Sequence, residues 1–329
     1  MALKLYYDPD TDPDLIKARR IAVLGFGAQG RAQAQNLKDS GVAVTVGLRA
    51  DSVSRAAAQA AGLPVLTPAE AVSQADMVVM LVPDEVQPRV YSESVAPHLR
   101  AGAALVFAHG FNIHYRQIVP RPDFDVVMVS PNGIGEQVRA QYLAGYGVPG
   151  LVAVHQDASG QARSLAFSYA WAQGHGRAGI VESSFREETE TDLFAEQAVL
   201  CGGLTHLIEA GFETLTEAGY APEIAYFCCL HEVKLIADMI YQRGIAGMRE
   251  SISATAEFGD YTRGPRVIGD GTRAAMQTLL GEIQRGEFAS ELAREIAAGK
   301  PVIGGGRAKA RAALIEQVGA ELRKRMKRD

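Results

Sequence analysis

The sequence is poor in cysteine and contains no long apolar stretch. Its three cysteines form no CxxC pair and have no histidine at zinc-ligand spacing, which argues against a protein held together by disulfides or structural zinc. The longest apolar runs, such as residues 77–82, are far shorter than the roughly 20 residues of a membrane span. The N-terminal segment is acidic and lacks an extended apolar core. We therefore expect no secretory signal, no membrane partner and a cytoplasmic location.

The chain also has fewer basic residues than acidic ones. Lys and Arg number 33 against 38 Asp and Glu, which gives a formal net charge of −5 and a pI near 5.9. This balance supplies no global positive field for a nucleic acid, so we expect a small-molecule partner. The chain has 329 residues, of which 47% are hydrophobic and 22% charged. These values exclude a disordered or fibrous chain and favour a globular protein of about two domains.

Two patterns of apolar residues divide the chain. Up to about residue 182, short β-branched runs alternate with helical segments, which is typical of βαβ units around a parallel sheet. Beyond it, helical periodicities follow one another without a strand. We therefore predict an α/β domain over residues 1–182 and an all-α domain over residues 183–329. The predicted strands cover residues 21–24, 42–48, 77–82, 104–108, 126–129 and 151–154, and the predicted C-terminal helices cover residues 191–209, 221–241, 272–286 and 308–326.

A glycine motif follows the first predicted strand. The segment IAVLGFGAQG places Gly25, Gly27 and Gly30 in the order GxGxxG between a strand and a helix. Gly25 permits the tight turn, Gly27 lets the backbone approach a pyrophosphate, and Gly30 lets the helix pack closely. This order of strand, turn, helix and second strand predicts a Rossmann dinucleotide-binding domain.

The end of the second strand bears on which dinucleotide binds. NAD sites usually carry an acidic residue here, whereas this chain has Arg49, Ser52 and Ser54, which suit a 2′-phosphate. Asp51 would repel that phosphate and favour NADH. We expect NADPH, with NADH as the alternative.

A histidine follows a later strand. In LVFAHGFNIHY, His109 comes directly after the apolar run 104–108. Ligands of open α/β sheets bind beyond the carboxyl ends of the strands. His109 is therefore a candidate proton donor or nicotinamide contact.

Two carboxylates share a predicted helix face. Asp192 and Glu196 are four residues apart among apolar neighbours, and buried carboxylates need a cation or a proton. Mg²⁺ is the natural cation for such oxygen ligands. By contrast, the acidic residues Glu187, Glu188 and Glu190 fit the ordinary preference of a helix N-terminus for negative charge.

A second predicted helix pairs Glu232 with Cys228, again four residues apart. A thiol is a poor magnesium ligand because sulfur is too soft.

Several longer motifs together resemble the short form of the ketol-acid reductoisomerase family. They include GFGAQGRAQAQNLKDSG, LVPDEVQ, FAHGFNIHY, ETETDLFAEQAVLCGG and EAGFETLTEAGYAPEIAYF, and the resemblance extends over residues 6–326. It implies a Rossmann domain and a knotted helical domain that interleaves with its partner in a homodimer or a higher oligomer. It also implies conversion of 2-acetolactate-type substrates into 2,3-dihydroxy acids for branched-chain amino acid synthesis. That reaction combines a magnesium-dependent alkyl shift with hydride transfer from NADPH.

The resemblance also implies roles for individual residues. Asp192, Glu196 and Glu232 correspond to metal ligands, and His109 and Ser253 to an active-site histidine and a substrate-contacting serine. With Glu196 and Glu232, the expected catalytic positions include Asn132 and Cys228. The residues that the resemblance and the glycine motif assign to the nucleotide are Gly25, Phe26, Gly27, Ala28, Gln29, Gly30, Arg49, Ser52, Ser54, Asp84, Gln87 and Gly135.

The chain departs from the family pattern in two reaction-centre motifs. Where the family reads close to APKGPGH, this chain reads SPNGIGE, so Asn132 replaces a lysine and Glu136 a histidine. Where the family reads close to FECLHE, this chain reads FCCLHE, so Cys228 replaces a metal carboxylate. An uncharged amide gives less electrostatic support, and a missing hard ligand weakens the second magnesium site. We therefore expect one ion rather than two.

Three functions compete on these residues. We favour an NAD(P)H-dependent reductase of a small C=O or C=N substrate that has lost the isomerisation step. The second is an authentic ketol-acid reductoisomerase that tolerates both replacements. The third is a non-catalytic NADPH-binding protein.

Overall fold

The computed structural model describes residues 4–326, which divide into two compact units. The division falls between Thr189 and Glu190. The predicted domain boundary lies slightly earlier, between residues 182 and 183, and stays a prediction. Residues 1–3 and 327–329 of the two predicted domains lie outside the described residues.

The N-terminal unit contains a nine-stranded sheet. All six predicted strands are present, and their ends differ from the prediction by at most two residues. Three further strands have only two or three residues, too few to show an alternating pattern. The strands are β1 (Leu5–Tyr6), β2 (Arg20–Leu24), β3 (Ala43–Gly47), β4 (Val65–Leu66), β5 (Met77–Met80), β6 (Ala104–Phe107), β7 (Asp125–Pro131), β8 (Gly150–Gln156) and β9 (Ile180–Glu182).

The sheet is parallel at its centre and mixed towards one edge. Its order is β1-β9-β8-β7-β6-β5-β2-β3-β4. The neighbours from β4 to β7 run parallel, whereas β8 is antiparallel to β7 and β1 is antiparallel to β9. The prediction of a parallel sheet is therefore confirmed for the central strands and wrong for the β7–β8 pair, and neither β1 nor β9 was predicted. The path of the connection before a strand sets its direction, and strand composition does not encode that path.

Helices in the N-terminal unit connect these strands. Two short 3₁₀ helices (Asp8–Asp10 and His175–Arg177) and a π-helical turn (Tyr91–Val95) accompany them. The helices that begin in this unit are α1 (Pro13–Lys17), α2 (Ala28–Asp39), α3 (Arg55–Ala60), α4 (Pro68–Ser73), α5 (Gln87–Val90), α6 (Phe111–His114), α7 (Gly135–Leu143), α8 (Ala162–Ala172) and α9 (Phe185–Ala195).

The central strands are buried on both faces. Along β2, Ile21 and Val23 belong to one apolar core, and Ala22 and Leu24 belong to the other, because alternate side chains of a strand point to opposite faces. This double burial is the pattern expected of strands between two layers. Since β2, β5, β6 and β7 run parallel, the loops that follow them leave the sheet at the same edge.

The C-terminal unit is helical, as predicted, and shows no strand within residues 190–326. The predicted helix 308–326 is two helices, because Ala313 adopts an extended conformation between them. The helices over residues 254–267 and 287–297 were not predicted. Two π-helical turns interrupt the unit, at Glu196–Leu200 and Phe227–His231. The helices are α10 (Gly202–Glu217), α11 (Pro222–Tyr226), α12 (Glu232–Ser251), α13 (Ala254–Val267), α14 (Asp270–Gln284), α15 (Glu287–Ala297), α16 (Pro301–Ala312) and α17 (Leu314–Arg325).

Apolar side chains in the C-terminal unit are largely exposed. Phe212, Ala225, Tyr226 and Ile315 form a small core. No helix within residues 4–326 is both long and apolar enough to cross a membrane. Large apolar side chains of this unit that lie on the surface of the single chain include Val199, Leu200, Leu207, Tyr220, Ile224, Leu235, Tyr241, Ile245, Phe258, Tyr261 and Val302.

Candidate active site

The turn between β2 and α2 has the shape of a phosphate cradle. Gly25 has φ of +104°, and a Cβ there would lie 2.5 Å from the carbonyl oxygen of Leu81. A Cβ on Gly30 would lie 2.4 Å from the carbonyl oxygen of Gly25, so both positions require glycine. A Cβ on Gly27, by contrast, would meet nothing within 4 Å. The backbone is therefore tight beneath the turn and open at Gly27, where a diphosphate fits.

The first turn of α2 faces this opening. Gly27 is the N-cap residue, and no side chain caps the helix. The first N–H groups of a helix have no partner within the helix and attract anions. Phe26 is buried beneath the turn, whereas Ala28 is exposed. The geometry of this turn thus suits a dinucleotide, and the individual contacts stay predictions.

The loop after β5 is organised by a buried amide. Gln87 donates from Nε2 to the carbonyl oxygen of Val82 and to Oδ1 of Asp84, each at 3.0 Å. Its Oε1 accepts from Nδ2 of Asn112 at 3.0 Å, and Asn112 also bonds the carbonyl oxygen of Asp84. The side chain of Gln87 therefore shapes the loop from within. A direct contact of Gln87 or Asp84 with the nucleotide stays a prediction.

The loop after β3 pairs two opposite charges at the surface. Nε of Arg49 lies 3.6 Å from Oδ1 of Asp51, and both side chains are exposed. Ser52 Oγ accepts from the backbone N–H of Ser54, which begins the turn into α3. Arg49 thus has a competing carboxylate beside it, which is the conflict that the sequence indicated.

The loop after β7 holds Asn132 on a fixed backbone. The N–H of Asn132 donates to the carbonyl oxygen of Pro149 at 2.9 Å, and the N–H of Gly133 donates to that of Pro131 at 2.8 Å. The carbonyl oxygen of Gly133 accepts from Nε2 of Gln29 at 2.9 Å. The side chain of Asn132 is exposed and makes no hydrogen bond to any residue in the described part of the chain. The backbone of this loop is therefore held in place, while the amide of Asn132 is exposed.

His109 lies after β6 and is hydrogen-bonded to a buried carboxylate. Its Nδ1 is 3.0 Å from Oε1 of Glu188, which is only 2% exposed. Glu188 also accepts from the hydroxyl of Ser130 at 2.9 Å and from the N–H of Gly110 at 2.8 Å. Because the carboxylate accepts at Nδ1, it places a proton there and fixes the orientation of the ring. A Cβ on Gly110 would lie 2.4 Å from Oγ1 of Thr189, so glycine allows this close approach.

Sequence reasoning missed Glu188. The expectation that Asp192 and Glu196 are buried is wrong, since both are exposed in the single chain, whereas Glu188 and Glu190 are buried. Glu188 and Glu190 lie in the first two turns of α9. Glu188 belongs to the N-terminal unit, and Glu190 is the first residue of the C-terminal unit. The spacing of the acidic residues could have pointed to Glu188, because residues 188, 192 and 196 are four apart and so share one helix face.

The C-terminal unit carries the remaining predicted residues. Asp192 follows Glu188 by one turn of α9, and Glu196 begins the first π-helical turn. Cys228 is exposed within the second π-helical turn, and Glu232 begins α12 directly after it. In a π-helical turn, residue i bonds to residue i+5. Cys228 and Glu232 therefore do not have the regular α-helical spacing that was predicted from the sequence.

The three predicted metal ligands of this unit do not converge on one another. Among residues 190–326, no three His, Cys, Asp or Glu side chains bring ligand atoms within 4.8 Å of one another, so Asp192, Glu196 and Glu232 are not gathered there. Ser253 is exposed and caps α13, with its Oγ accepting from the N–H of Ala256 at 3.2 Å.

Comparison with known proteins matches both units. Residues 15–179 match the acetohydroxy acid isomeroreductase, NADPH-binding domain, and residues 185–328 match the ketol-acid reductoisomerase, C-terminal domain. The chain belongs to the ketol-acid reductoisomerase family. It is accordingly an NAD(P)H-dependent oxidoreductase with a Rossmann-like N-terminal domain.

Solved structures give the same assignment. An NADH-preferring ketol-acid reductoisomerase from an uncultured archean is 45% identical, with a TM-score of 0.96, over 99% of this chain and 100% of that chain. More distant structures share the fold alone. A semialdehyde dehydrogenase NAD-binding protein from Cupriavidus necator has a TM-score of 0.61 at 18% identity, over 81% of this chain and 99% of that one. A pyrroline-5-carboxylate reductase from Coxiella burnetii has a TM-score of 0.55 at 14% identity, over 81% and 98%.

Proposed function

We propose that this family member transfers hydride to a small C=O or C=N substrate and no longer catalyses the alkyl shift. The observation that carries the proposal is Asn132, which presents a neutral amide from a fixed backbone where the resemblance implies a lysine. An alkyl shift that begins by deprotonating a tertiary alcohol needs positive charge near oxygen. An amide donates a hydrogen bond but adds no charge. It suits the polarisation of a carbonyl or imine better than the support of a migrating anion.

Cys228 supports the same proposal from the other unit. Its exposed thiol stands where the resemblance implies a metal carboxylate. Asp192, Glu196 and Glu232 are oxygen ligands that fit Mg²⁺ in chemistry, whereas a thiol does not. We therefore propose one bound ion, held by these carboxylates. Such an ion would polarise a substrate oxygen.

His109 and Glu188 supply the proton-handling part of the site. Glu188 holds the imidazole by its Nδ1–H and so directs the opposite ring edge, which carries Nε2, away from the carboxylate. When bound, the reduced nicotinamide supplies the hydride. The amide of Asn132 orients the acceptor, and His109 moves the proton that completes the reduction.

NADPH is the proposed nucleotide. Arg49, Ser52 and Ser54 provide the positive charge and hydroxyl groups that a 2′-phosphate needs. The Arg49–Asp51 pair is exposed, and such pairs are weak, so a phosphate can replace it. The NADH preference stated for the archean relative keeps NADH as the alternative.

An authentic ketol-acid reductoisomerase is the second candidate. It is favoured by the 45% identity to such an enzyme over nearly the whole chain. The decisive assay mixes the protein with 2-acetolactate, Mg²⁺ and NADPH, and in parallel with a 2-oxo acid and a cyclic imine. We expect cofactor oxidation only with the preformed C=O or C=N acceptors. Steady turnover of 2-acetolactate would establish the second candidate instead.

Reversion sharpens this assay. Asn132→Lys combined with Cys228→Glu should restore magnesium-dependent turnover of 2-acetolactate, because both changes return charge to the reaction centre. A double variant that stays inactive on 2-acetolactate would mean that these two positions do not account for the loss. A third reading, a non-catalytic NADPH-binding protein, expects no turnover of any acceptor, although NADPH should still raise the Tm.

The C-terminal unit is proposed to be completed by a second copy of the chain. Its exposed apolar side chains, such as Leu235, Tyr241 and Phe258, need a cover that the described residues of its own unit do not give. The resemblance implies a knotted domain interleaved with its dimer partner. We expect a solution mass of about twice 35.2 kDa, or a higher multiple, by light scattering. A monomer at micromolar concentration would contradict this proposal.

A further inference from the structure

The Asn132 loop, residues 132–135, is attached to the first turn of α2. Nε2 of Gln29 donates to the carbonyl oxygen of Gly133 at 2.9 Å. Two residues further on, a Cβ at Gly135 would lie 2.3 Å from the carbonyl oxygen of Ala28, so the two backbones touch. The loop that carries Asn132 therefore lies directly on the turn that forms the phosphate cradle.

Gln29 is itself held by a buried chain of hydrogen bonds. Its Oε1 accepts from Nε2 of Gln33 at 3.1 Å, and Oε1 of Gln33 accepts from the hydroxyl of Tyr169 at 2.7 Å. Gln33 and Tyr169 are both buried in the N-terminal unit. This chain keeps the oxygen of the Gln29 amide inward and its nitrogen towards Gly133. The donor is thus oriented before any ligand binds.

We infer that Gln29 is a positioning residue, which acts through the Asn132 loop. Its amide joins the phosphate-binding turn to the loop, so the position of the nucleotide fixes the position of the Asn132 side chain. This role deepens the proposed function and rests on it, because Asn132 orients the acceptor there. The backbone bonds of Asn132 and Gly133 to Pro149 and Pro131 fix the strand side of the loop, and Gln29 fixes the nucleotide side.

Hydrogen exchange tests the attachment without any substrate. In Gln29→Met, which keeps the length of the side chain but removes the donor, the amides of Asn132 and Gly133 should exchange about tenfold faster. Gln29→Glu removes the donor as well and should give the same result. Gln35→Met is the control, because Gln35 lies on the same helix and bonds only the carbonyl oxygen of Arg31. The exchange is measured with the nucleotide bound. If the amides of Asn132 and Gly133 exchange at an unchanged rate in both Gln29 variants, the inference is overturned.

A double-mutant cycle tests the functional part. With a 2-oxo acid or a cyclic imine as acceptor, Gln29→Met should lower kcat about tenfold and change the KM for NADPH less. In an Asn132→Ala background the same change should have almost no further effect on kcat, since both substitutions act on one group. Independent, multiplying losses would show that Gln29 has only a structural role. If no acceptor is turned over, the proposed function fails, and the exchange experiment still decides the attachment.

Discussion

The two units bury their apolar residues very differently. In the N-terminal unit, the central strands are covered on both faces by helices of the same unit. In the C-terminal unit, Tyr241 is 93% exposed, and Leu235, Ile245 and Phe258 are also at the surface. The first unit buries its apolar strands within itself, whereas the second leaves many large apolar side chains exposed. A single chain therefore accounts better for the surroundings of the site residues in the N-terminal unit than for those in the C-terminal unit.

The site residues follow the same division. The bonds of His109 to Glu188, and of Glu188 to Ser130 and Gly110, join residues of the N-terminal unit, as does the backbone bond of Asn132 to Pro149. Asp192, Glu196 and Glu232 of the C-terminal unit are exposed, and their ligand atoms are not gathered within residues 190–326. The orientation of His109 is therefore explained within the N-terminal unit, whereas the proposed ion site is not explained within residues 190–326.

The largest expected effect comes from a matched pair of exposed residues. Tyr241 and Val53 are 93% and 95% exposed, one in each unit. Tyr241→Asp should weaken the proposed dimer about a thousandfold, or ~4 kcal/mol, because it would place a charge in the proposed apolar interface. Val53→Asp should change neither mass nor stability. Sedimentation of both variants measures this, and equal behaviour would remove the contrast between the units.

Acid should destabilise the N-terminal unit selectively. Burial lowers the pKa of His175 to about 4, although its bond to the carbonyl oxygen of Val148 opposes the shift. The unfolded chain takes up this proton near pH 6.5 and the folded chain only near pH 4. Stability is therefore lost as the pH falls through this window, by about 3 kcal/mol. The fluorescence of Trp171, the only tryptophan, reports unfolding of this unit.

Substitutions of the two histidines test the acid effect. His175→Gln should flatten the dependence of stability on pH between 4 and 6.5, whereas His206→Gln, at an exposed position of the C-terminal unit, should leave it unchanged. A slope that persists in His175→Gln would assign the acid sensitivity to other groups.

Two glycines of one turn should respond in opposite ways. Gly25→Ala should cost about 2 kcal/mol of stability, since its φ is +104° and the Cβ meets the backbone of Leu81. Gly27→Ala should leave the Tm unchanged and weaken NADPH binding about tenfold, because its Cβ enters the open space above the turn. Thermal unfolding and fluorescence titration measure the two effects. Equal losses of stability would contradict the cradle geometry.

The smallest effect is expected at the surface pair beside the second strand. Asp51→Ser should raise the ratio of kcat/KM for NADPH over NADH about fivefold, because it removes a negative charge near the 2′-phosphate. Arg49→Ala should lower the same ratio. If neither ratio moves, this loop does not select the nucleotide.

The sequence was most informative where one chain makes its own core. The strands β2, β5 and β6 are continuous apolar runs, so their positions could be predicted closely. The antiparallel direction of β8 depends on the route of the chain after α7 and could not be predicted. The break at Ala313 has no glycine or proline to announce it, so α16 and α17 were predicted as one helix.

Glu188 shows the limit for the candidate site. Acidic residues are common in the first turn of a helix because they interact favourably with the helix dipole, so Glu188 was not singled out from the sequence. Only the fold brings Glu188 to His109, 79 positions away in the sequence. The neighbouring Asp192 and Glu196 were identified from their helical spacing, and the resemblance then assigned them to a metal. Their burial was predicted wrongly, because helix periodicity does not show which part of a helix is covered by other residues.

The two π-helical turns carry a consequence for how this fold diverges. Each turn, at Glu196–Leu200 and Phe227–His231, contains a surplus residue compared with a regular helix. Loss of that residue would let the helix continue but would rotate everything after it by about 100°. Glu232 and the rest of α12 would then point in a new direction. A single codon deletion at either turn would therefore change the direction of the side chains that follow it, while the strand scaffold stays as it is.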